Sequence, residues 1–390
     1  MISFDEATRR VAEAARPLGS ERVPLARAAG RWLAAPVAAL IDSPPSDCSA
    51  MDGYAVREED LPGTLRLIGR SCPGSGFEGV VEPGTCVRIF TGAPVSAGAD
   101  RVVIQEAAVG QGESVAMAGA PGPARFIRPR GSDFRAGERL LEAGRRLDPR
   151  ALVAAAAADV AEVECWRRPS VRLLGTGDEL APPGEARSRG GAIPDSLSLG
   201  LAAFVGQWGG RIDGSRLVAD DLATMERAAG EALEQADLVV VTGGASVGER
   251  DFARRMFEPH GLELVFSKVA MKPGKPVWLG RAAGRLVLGL PGNPTSAMVT
   301  ARLLLAPLVA GLAGRGGEPG WRRLALVGPL PACDDRETFH RARRVKEGAV
   351  PLANQDSGAQ KALAEADLLI RSRPNDPPLE AGEEIDALDF

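Results

Sequence analysis

The fold is decided by the stretch LVVVTGGASVG, residues 238–248. Its first part is an apolar run rich in β-branched residues, and its second part is a glycine-rich loop. Such a run predicts a buried strand, and the glycines allow the chain to turn sharply and direct backbone N–H groups at an anion. The same residues also suit a tight strand-to-helix turn that binds nothing, so this stretch alone leaves both interpretations open.

Two more loops follow apolar runs in the same manner. They are GTGDEL at Gly175–Leu180 and LPGNP at Leu290–Pro294, which follow Val171–Leu174 and Arg285–Leu288. From Ser170 onward, strand and helix patterns alternate, which predicts a parallel sheet with crossover helices. Loops at the carboxyl ends of parallel strands line one crevice, so the three loops predict a single ligand site. The helices expected there span Leu197–Trp208, Leu222–Gln235, Asp251–Glu258 and Thr295–Ala313.

The chain on either side of this region has a different character. Helical spacing predicts helices over Phe4–Leu18 and Val23–Val37, and the alanine-dense segment Ala151–Ala161 is a third. Short strands punctuated by Gly and Pro predict a β-rich domain before residue 139 and a small β domain over Trp321–Phe390. The expected fold class is therefore α/β plus β: a multidomain chain with a central parallel α/β domain, a β-rich domain and a C-terminal small β domain.

Composition narrows the classes of function. The 390 residues carry 47 basic and 51 acidic side chains, a formal net charge of −4, which disfavours bulk electrostatic binding of nucleic acid or an anionic membrane. Aromatic residues make up 4%, too few for a stacking platform for single-stranded nucleic acid. Five scattered cysteines without CxxC spacing, and two histidines, disfavour a structural zinc site and indicate a reducing, cytoplasmic setting. We expect no apolar run of transmembrane length and no signal peptide.

Lysines and carboxylates together indicate oxyanion chemistry with a divalent cation. Lys268, Lys272 and Lys275 lie within eight residues, and each is a compact ammonium suited to phosphate or another oxyanion. Isolated carboxylates alone would repel such an anion. A divalent cation such as Mg²⁺ resolves the conflict, because it binds one or two carboxylates together with phosphate oxygens. The candidate acids are Asp52, Asp133, Glu179, Asp220, Asp221 and Asp251.

Six segments occur in the order and spacing of a known family. They are SAMDGYAV at Ser49–Val56, RIFTGAP at Arg88–Pro94, TGDEL at Thr176–Leu180, GGASVG at Gly243–Gly248, MKPGKP at Met271–Pro276 and LPGNP at Leu290–Pro294. On these segments the whole chain resembles the molybdopterin molybdenumtransferases, the MoeA/gephyrin E-domain family. The GGxSVG segment alone is shared with related pterin-binding adenylyltransferases, whereas the ordered set is specific.

This resemblance implies an enzyme of molybdenum cofactor biosynthesis. The implied reaction inserts molybdenum from molybdate into adenylylated molybdopterin, with Mg²⁺-dependent hydrolysis of the phosphoanhydride and release of AMP. The implied assembly is an elongated homodimer whose cleft lies between the α/β domain of one subunit and the β-rich domain of the other. Candidate partners are the molybdopterin adenylyltransferase and recipient molybdoenzymes, with neither nucleic acid nor membrane. The implied domains are a discontinuous first domain at 1–38 and 139–168, a β-rich domain at 39–138, a molybdopterin-binding α/β domain at 169–317 and a C-terminal β domain at 318–390.

The family's functional residues fall on defined positions of this chain. The resemblance places catalytic roles on Asp52, Thr91, Asp133, Glu179, Asp221, Asp251, Lys268, Lys272 and Lys275. Of these, Glu179, Asp221 and Asp251 are expected to bind the metal or to hydrogen-bond the pterin, with Asp221 favoured over its neighbour Asp220. The expected ligand-binding positions are Gly175, Thr176, Gly177, Asp178, Gly243, Gly244, Ser246, Gly248, Pro291, Gly292, Asn293 and Pro294.

The chain departs from the family pattern at a few positions. At 194–197 the residues are Pro-Asp-Ser-Leu where the family usually has Tyr-Asp-Thr/Ser-Asn, so a polar ligand contact is expected to be lost at Leu197. Cys48 stands at a usual Asn, and we interpret it as a packed thiol in preference to a sulfur contact for molybdenum. Two alternatives to metal insertion stay open at this point: adenylyl transfer to molybdopterin, and a catalytically weakened dimeric scaffold of the same fold.

Overall fold

The computed structural model describes residues 1–117, 122–243, 252–315 and 320–390. These residues form two compact units. One consists of Met1–Glu21 together with Cys165–Phe390, and the other is Arg22–Glu164. The domain boundaries given above stay a prediction.

A six-stranded sheet forms the centre of the first unit. Its strands, in order across the sheet, are Arg211–Val218, Ser170–Thr176, Leu238–Thr242, Arg285–Leu290, Trp278–Ala282 and Glu263–Ser267. The first four strands are parallel, whereas the last two pair antiparallel. The sequence predicted a parallel sheet throughout. The edge differs because only Ala283 and Gly284 separate Trp278–Ala282 from Arg285–Leu290, and a two-residue turn permits a hairpin but not a parallel crossover.

Both faces of this sheet are buried under helices. Along the central strand Leu238–Thr242, Leu238 and Val240 belong to one apolar cluster, and Val239 and Val241 belong to the other. This alternation follows from the period of two along a strand. The helices of the first face are Phe4–Ala14, Leu197–Gln207, Pro294–Thr300 and Ala306–Leu312, and those of the second are Leu222–Gln235 and Phe252–Arg255.

The last helical segment on the first face is unusually apolar. A π-helical stretch, Ala301–Leu305, joins Pro294–Thr300 to Ala306–Leu312, so the helix runs from Pro294 to Leu312. By length and composition alone this helix could cross a membrane. Within the fold, however, 83% of this segment is buried against the rest of the unit, as in a core helix.

A second six-stranded sheet completes the first unit. In order its strands are Met271–Lys272, Glu337–Val345, Leu368–Ser372, Glu384–Asp389 and Arg322–Ala325, with Gly348–Pro351 paired to Glu337–Val345. The short helix Gln360–Ala364 lies between two of these strands in sequence. The strands that the sequence predicted for the C-terminal β domain are thus present. The edge strand Met271–Lys272 comes from the lysine-containing loop of the α/β region, so the two sheets are joined there.

The second unit is built on a third six-stranded sheet. Its strands, in order, are Arg101–Ile104, Gly53–Val56, Thr85–Ile89, Gly63–Ser71, Ser114–Met117 and Ala108–Gln111. Two small pairs accompany it, Val37–Ala38 with Arg139–Leu141 and Cys48–Ser49 with Ile127–Arg128. The predicted alanine-rich helix is present as Pro149–Ala157, with Asp148 as its N-cap.

The predicted helix over Val23–Val37 does not form. The segment contains the end of the strand Ser20–Pro24, a 3₁₀ turn at Leu25–Arg27 and the start of the strand Val37–Ala38. Gly30, in the middle of the segment, has a φ of +74°, outside the helical region, and Pro36 biases Ala35 away from that region. Apolar spacing alone therefore gave the wrong element.

Candidate functional site

A cavity of about 820 Å³ lies where the parallel strands of the α/β sheet end. Its wall includes Thr176, Gly177 and Glu179 of the first predicted loop, Thr242 and Gly243 of the second, and Pro291, Gly292, Asn293 and Pro294 of the third. The structure therefore brings the three glycine-containing loops together. Gly175 and Asp178 flank this wall on the first loop.

The first two loops are in direct contact. The Thr176 hydroxyl donates a hydrogen bond to the Thr242 carbonyl at 3.2 Å. Gly243 has a φ of +87°, and a Cβ atom there would lie 2.4 Å from the Thr176 carbonyl oxygen. Only glycine fits this position, because any side chain would meet both the backbone strain and the collision. Gly244, Ser246 and Gly248 of the same loop lie outside the described residues.

Three acidic residues belong to the cavity wall: Glu179, Asp195 and Asp220. The Glu179 carboxylate folds back over Gly177, since a Cβ at Gly177 would lie 2.8 Å from Glu179 Oε2. The Asp220 backbone N–H donates to Asp178 Oδ1 at 3.0 Å, which ties the first loop to the end of the neighbouring strand. The acids predicted from the TGDEL segment and from the Asp220–Asp221 pair thus meet at one edge of the sheet.

Asp221, the residue that the sequence favours as a ligand, caps a helix in the structure. It is the N-cap of the helix Leu222–Gln235, and its Oδ2 accepts a hydrogen bond from the Thr224 backbone N–H at 2.9 Å. Hydrogen bonds from Thr224 lower the pKa of the Asp221 carboxyl. Its neighbour Asp220 is the one that lines the cavity. Asp251, the third predicted metal ligand, lies outside the described residues.

These carboxylates suit Mg²⁺ better than a metal with a full protein cage. Among the described residues, no cluster of three or more His, Cys, Asp or Glu side chains is arranged to hold a metal. Mg²⁺ needs only one or two carboxylates, because it keeps several waters and takes substrate phosphate oxygens as further ligands. The hard oxygen donors of Glu179 and Asp220 in one cavity fit that requirement.

The lysine-containing loop contributes backbone to the cavity and side chains to its surroundings. Gly274 and Pro276 line the cavity. Lys268, Lys272 and Lys275 are all exposed, and Lys268 has a positive φ of 61°. The Val269 N–H donates to the Lys275 carbonyl at 3.0 Å, so the loop is closed on itself.

The sequence did not anticipate the contribution of the C-terminal sheet to the same cavity. Gly358 and Gln360 are part of the wall. The loop that carries them is held from beneath by Arg341, which is 1% exposed and donates to the backbone carbonyls of Asn354 and Asp356 at 3.2 and 3.1 Å. Burial lowers the pKa of the Arg341 guanidinium. The QDSG segment at residues 355–358 was visible in the sequence, but nothing in it indicated which loops it would meet.

The residues at which this chain departs from the family pattern form an apolar part of the cavity wall. Ile193, Pro194 and Leu197 line the cavity, and Leu197 is 7% exposed within the core of the α/β region. The buried Asp195 carboxylate accepts hydrogen bonds from the Leu197 and Ser198 N–H groups at 3.2 and 3.1 Å. Asp195 therefore organises the start of this helix, and Leu197 serves packing.

The second unit contains the other predicted catalytic residues. Asp52 Oδ1 accepts hydrogen bonds from the Thr91 backbone N–H at 2.7 Å and from the Thr91 hydroxyl at 2.8 Å. These bonds lower the pKa of Asp52, with a further contribution from the Arg88 charge. Asp133 is exposed, and its N–H donates to the Ser43 carbonyl at 3.0 Å. Within the described part of the unit, no hydrogen bond joins Asp133 to the Asp52–Thr91 pair. The Cys48 side chain is buried, as expected for a packed thiol.

The fold and the cavity define a multidomain protein with an α/β ligand-binding centre. Three family models match the chain in succession: "MoeA N-terminal region (domain I and II)" at residues 2–158, "Probable molybdopterin binding domain" at 172–311 and "MoeA C-terminal region (domain IV)" at 324–390. The chain is 37% identical to a molybdopterin molybdenumtransferase of Haemophilus influenzae, covering 81% of this chain and 78% of the relative. It is 36% identical to one from Synechococcus elongatus, covering 90% and 89%.

Solved structures agree with these matches. A molybdopterin biosynthesis MoeA protein from Pyrococcus horikoshii superposes with a TM-score of 0.85 at 29% identity, covering 100% of this chain and 99% of that one. The chain belongs to the molybdopterin molybdenumtransferase (MoeA) family.

Proposed function

We propose that this protein is a molybdopterin molybdenumtransferase that inserts molybdenum from molybdate into adenylylated molybdopterin, with Mg²⁺-dependent hydrolysis of the phosphoanhydride and release of AMP. The observation that carries the proposal is the cavity at the strand ends. There, three acidic residues, a glycine-rich contact and a lysine-containing loop meet in a chain that matches enzymes of that name over most of their length.

Both substrates are anions, and the lysine loop supplies the opposite charge. Lys272 and Lys275 are exposed ammonium groups on the loop whose Gly274 and Pro276 line the cavity. Molybdate and the phosphoanhydride carry their charge on oxygens, which compact ammonium groups bind well. We assign these lysines to holding the oxyanion and the phosphates close together before reaction.

Carboxylates of the same cavity would hold the cation. Glu179 and Asp220 are two of the three described acids in its wall, and Asp251 follows the second loop in sequence. When bound, Mg²⁺ polarises a phosphoanhydride for attack by an oxygen nucleophile. The chain's own part is to fix the phosphates against the backbone of the Thr176–Gly177 and Thr242–Gly243 loops, where the geometry is held by the Thr176 hydrogen bond.

We further propose a homodimer in which Asp52, Thr91 and Asp133 complete the site of the other subunit. Support comes from the family membership and from the short hydrogen bonds that fix Asp52 against Thr91. Co-expression of an Asp52→Ala chain with a Lys272→Ala chain tests this proposal. Mixed dimers would contain one intact site, so part of the activity would return. No recovery in mixed dimers would mean that each chain uses its own residues.

A cytoplasmic setting and partners in the same pathway complete the proposal. The five cysteines are free, and four of them are buried. Such thiols are compatible with a reducing compartment. The enzyme class that must supply the substrate is an adenylyltransferase acting on molybdopterin, and the consumers of the product are molybdoenzymes.

The two alternatives are less well supported. Relatives named molybdopterin molybdenumtransferase match across the N-terminal, central and C-terminal regions, whereas adenylyl transfer would require only the pterin-binding centre to match. A scaffold without activity would not need the Glu179 and Asp220 carboxylates in the cavity wall.

Release of AMP from adenylylated molybdopterin tests the proposal. We expect release that requires Mg²⁺ and is stimulated by molybdate. Consumption of ATP with formation of the adenylylated pterin would instead support adenylyl transfer. Tight binding of the pterin nucleotide without AMP release under any metal condition would support the scaffold.

A further inference from the structure

Arg88 has no role in the function proposed so far, although it belongs to the RIFTGAP segment. It lies on the strand Thr85–Ile89, in register with Tyr54 of the neighbouring strand Gly53–Val56. Its guanidinium carbon lies 5.1 Å from the centre of the Tyr54 ring and 4.9 Å from that of Phe90. Two aromatic faces therefore hold the guanidinium in one place.

The Arg88 guanidinium also donates two hydrogen bonds to residues that adjoin Asp52. Its Nη1 donates to the Gly53 carbonyl at 2.9 Å, and its Nη2 donates to Gln105 Oε1 at 2.7 Å. The Gln105 backbone N–H in turn donates to the Asp52 carbonyl at 3.0 Å. Arg88 thus fixes the residue after Asp52 and the residue that holds the Asp52 backbone.

The side chain of Asp52 is fixed separately by Thr91. One carboxylate oxygen, Oδ1, accepts both Thr91 hydrogen bonds. Thr91 follows Phe90, whose ring packs on Arg88. Backbone and side chain of Asp52 are therefore both connected to the same guanidinium, through Gly53 and Gln105 on one side and through Phe90–Thr91 on the other.

We propose that Arg88 is the positioning residue of the Asp52–Thr91 pair. Its planar, bidentate guanidinium sets the orientation of the Asp52 carboxylate. Arg88 therefore affects the reaction only through Asp52. This inference rests on the proposed function, which assigns Asp52 to the site. The competing view is that Arg88 merely stabilises the sheet. The two views differ in one measurable respect, because a residue that acts through Asp52 has nothing to act on once that carboxylate is removed.

A double-mutant cycle measures this difference. Arg88→Met is expected to lower kcat/KM for AMP release roughly ten- to hundredfold in the wild-type chain, the range for losing charge-assisted hydrogen bonds. In an Asp52→Asn chain the same change is expected to have no further effect. If Arg88→Met lowers activity by the same factor in both chains, the inference is overturned. Arg70→Met is the matched control, because Arg70 is the exposed arginine in register with Arg88 on the next strand, and we expect it to leave activity unchanged.

Arg88→Lys keeps the inference testable if the methionine variant does not fold. Lysine keeps the charge and can rest on the aromatic rings, but a single ammonium cannot span Gly53 and Gln105 as the guanidinium does. We expect unchanged thermal unfolding and clearly lower turnover. Wild-type turnover in Arg88→Lys would contradict the proposal that a guanidinium bound to both Gly53 and Gln105 positions Asp52.

A measurement of the Asp52 carboxyl itself separates this inference from the proposed function. Carbon-13 NMR with labelled aspartate, assigned through Asp52→Asn, gives the pKa of Asp52 without any substrate. Arg88→Lys, which keeps the positive charge but loses the bidentate guanidinium, should raise that pKa, whereas Arg70→Met should not. If Asp52→Asn proves fully active, the assignment of Asp52 to the reaction fails, while a raised pKa in Arg88→Lys would still show that the bidentate guanidinium orients Asp52. An unchanged pKa would overturn the inference whatever the activity.

Discussion

The side-chain amide of Asn293 donates a hydrogen bond to the hydroxyl of Ser357 at 3.0 Å. Asn293 belongs to the LPGNP loop at a strand end of the α/β sheet, and Ser357 belongs to the QDSG segment that follows the strand Gly348–Pro351 of the C-terminal sheet. One hydrogen bond thus joins two distant parts of the sequence at the wall of a single cavity.

Through this contact the C-terminal sheet contributes to the candidate site. Gly358 and Gln360 line the cavity, and Arg341 supports the segment that carries them. The edge strand Met271–Lys272, which pairs with Glu337–Val345, brings the lysine loop to the same sheet. The C-terminal region therefore helps to hold the loops that we assign to the anions.

Lys272→Ala should weaken molybdate binding roughly ten- to hundredfold, because it removes one charge-assisted contact to an oxyanion. Isothermal titration with molybdate measures the change. Lys346→Ala, which removes an exposed lysine from a turn of the C-terminal sheet, is the control and should bind like the wild type. Equal affinity in Lys272→Ala and wild type would mean that the anion does not contact this lysine.

Gly243→Ala should destabilise the protein and distort the cavity wall. The new Cβ would add the strain of a φ of +87° to a 2.4 Å approach to the Thr176 carbonyl oxygen. Gly191→Ala is the matched control, since Gly191 has a φ of +79° with open space around the Cβ position. We expect roughly 1 kcal/mol of destabilisation in the control and a clearly larger loss in Gly243→Ala, measured by urea unfolding. Equal losses would show that the loop moves freely away from Thr176.

His340 should make the protein less stable in mild acid. Burial, with the nearby Lys272 charge, lowers the pKa of His340 from 6.5 to about 4. Between these two pH values the unfolded chain binds the proton and the folded chain does not, so the free energy of unfolding falls as pH decreases. The contribution is fully present above pH 6.5 and amounts to roughly 3 kcal/mol across the window.

Urea midpoints measured from neutral pH down to pH 4 check this dependence. His340→Gln should flatten the curve in that range, because glutamine has no proton to gain. Lys272→Met should raise the pKa of His340 and therefore reduce the acid sensitivity. A His340→Gln curve parallel to that of the wild type would assign the dependence to other groups.

Leu197→Asn should cost stability although it restores the usual family residue. Leu197 is 7% exposed within the apolar core, so the change replaces packed methyl groups by an amide. We expect a loss of roughly 2–4 kcal/mol by chemical unfolding. Pro194→Tyr, at an exposed position before the helix, should change stability little. A stable Leu197→Asn chain with tighter pterin binding would show that the departure concerns the ligand.

Local patterns predicted the elements that position the site. The apolar run at Leu238–Val241 forms the central strand, and the helix Leu222–Gln235 has the predicted bounds. The three loops share a cavity because strands that run parallel end at the same edge, which the alternating pattern already implied.

Other features depended on contacts that no local pattern contains. Asp220 and Asp221 are adjacent in sequence, and only the start of the helix at Leu222 decides which one becomes the N-cap. The Ser357 loop meets Asn293 across 64 residues, and Arg341 becomes buried beneath that loop only in the folded sheet. The predicted helix at Val23–Val37 shows the opposite error, in which apolar spacing was given more weight than Gly30 and Pro36.

We propose that hydrolysis of the phosphoanhydride and insertion of the metal are one coupled reaction. Purified wild-type protein is incubated with adenylylated molybdopterin, Mg²⁺ and molybdate, and AMP and pterin-bound molybdenum are quantified in the same samples. We predict equimolar AMP and pterin-bound molybdenum, both absent without Mg²⁺ and both strongly reduced in Lys272→Ala. AMP released at the full rate with no molybdenum on the pterin would contradict it.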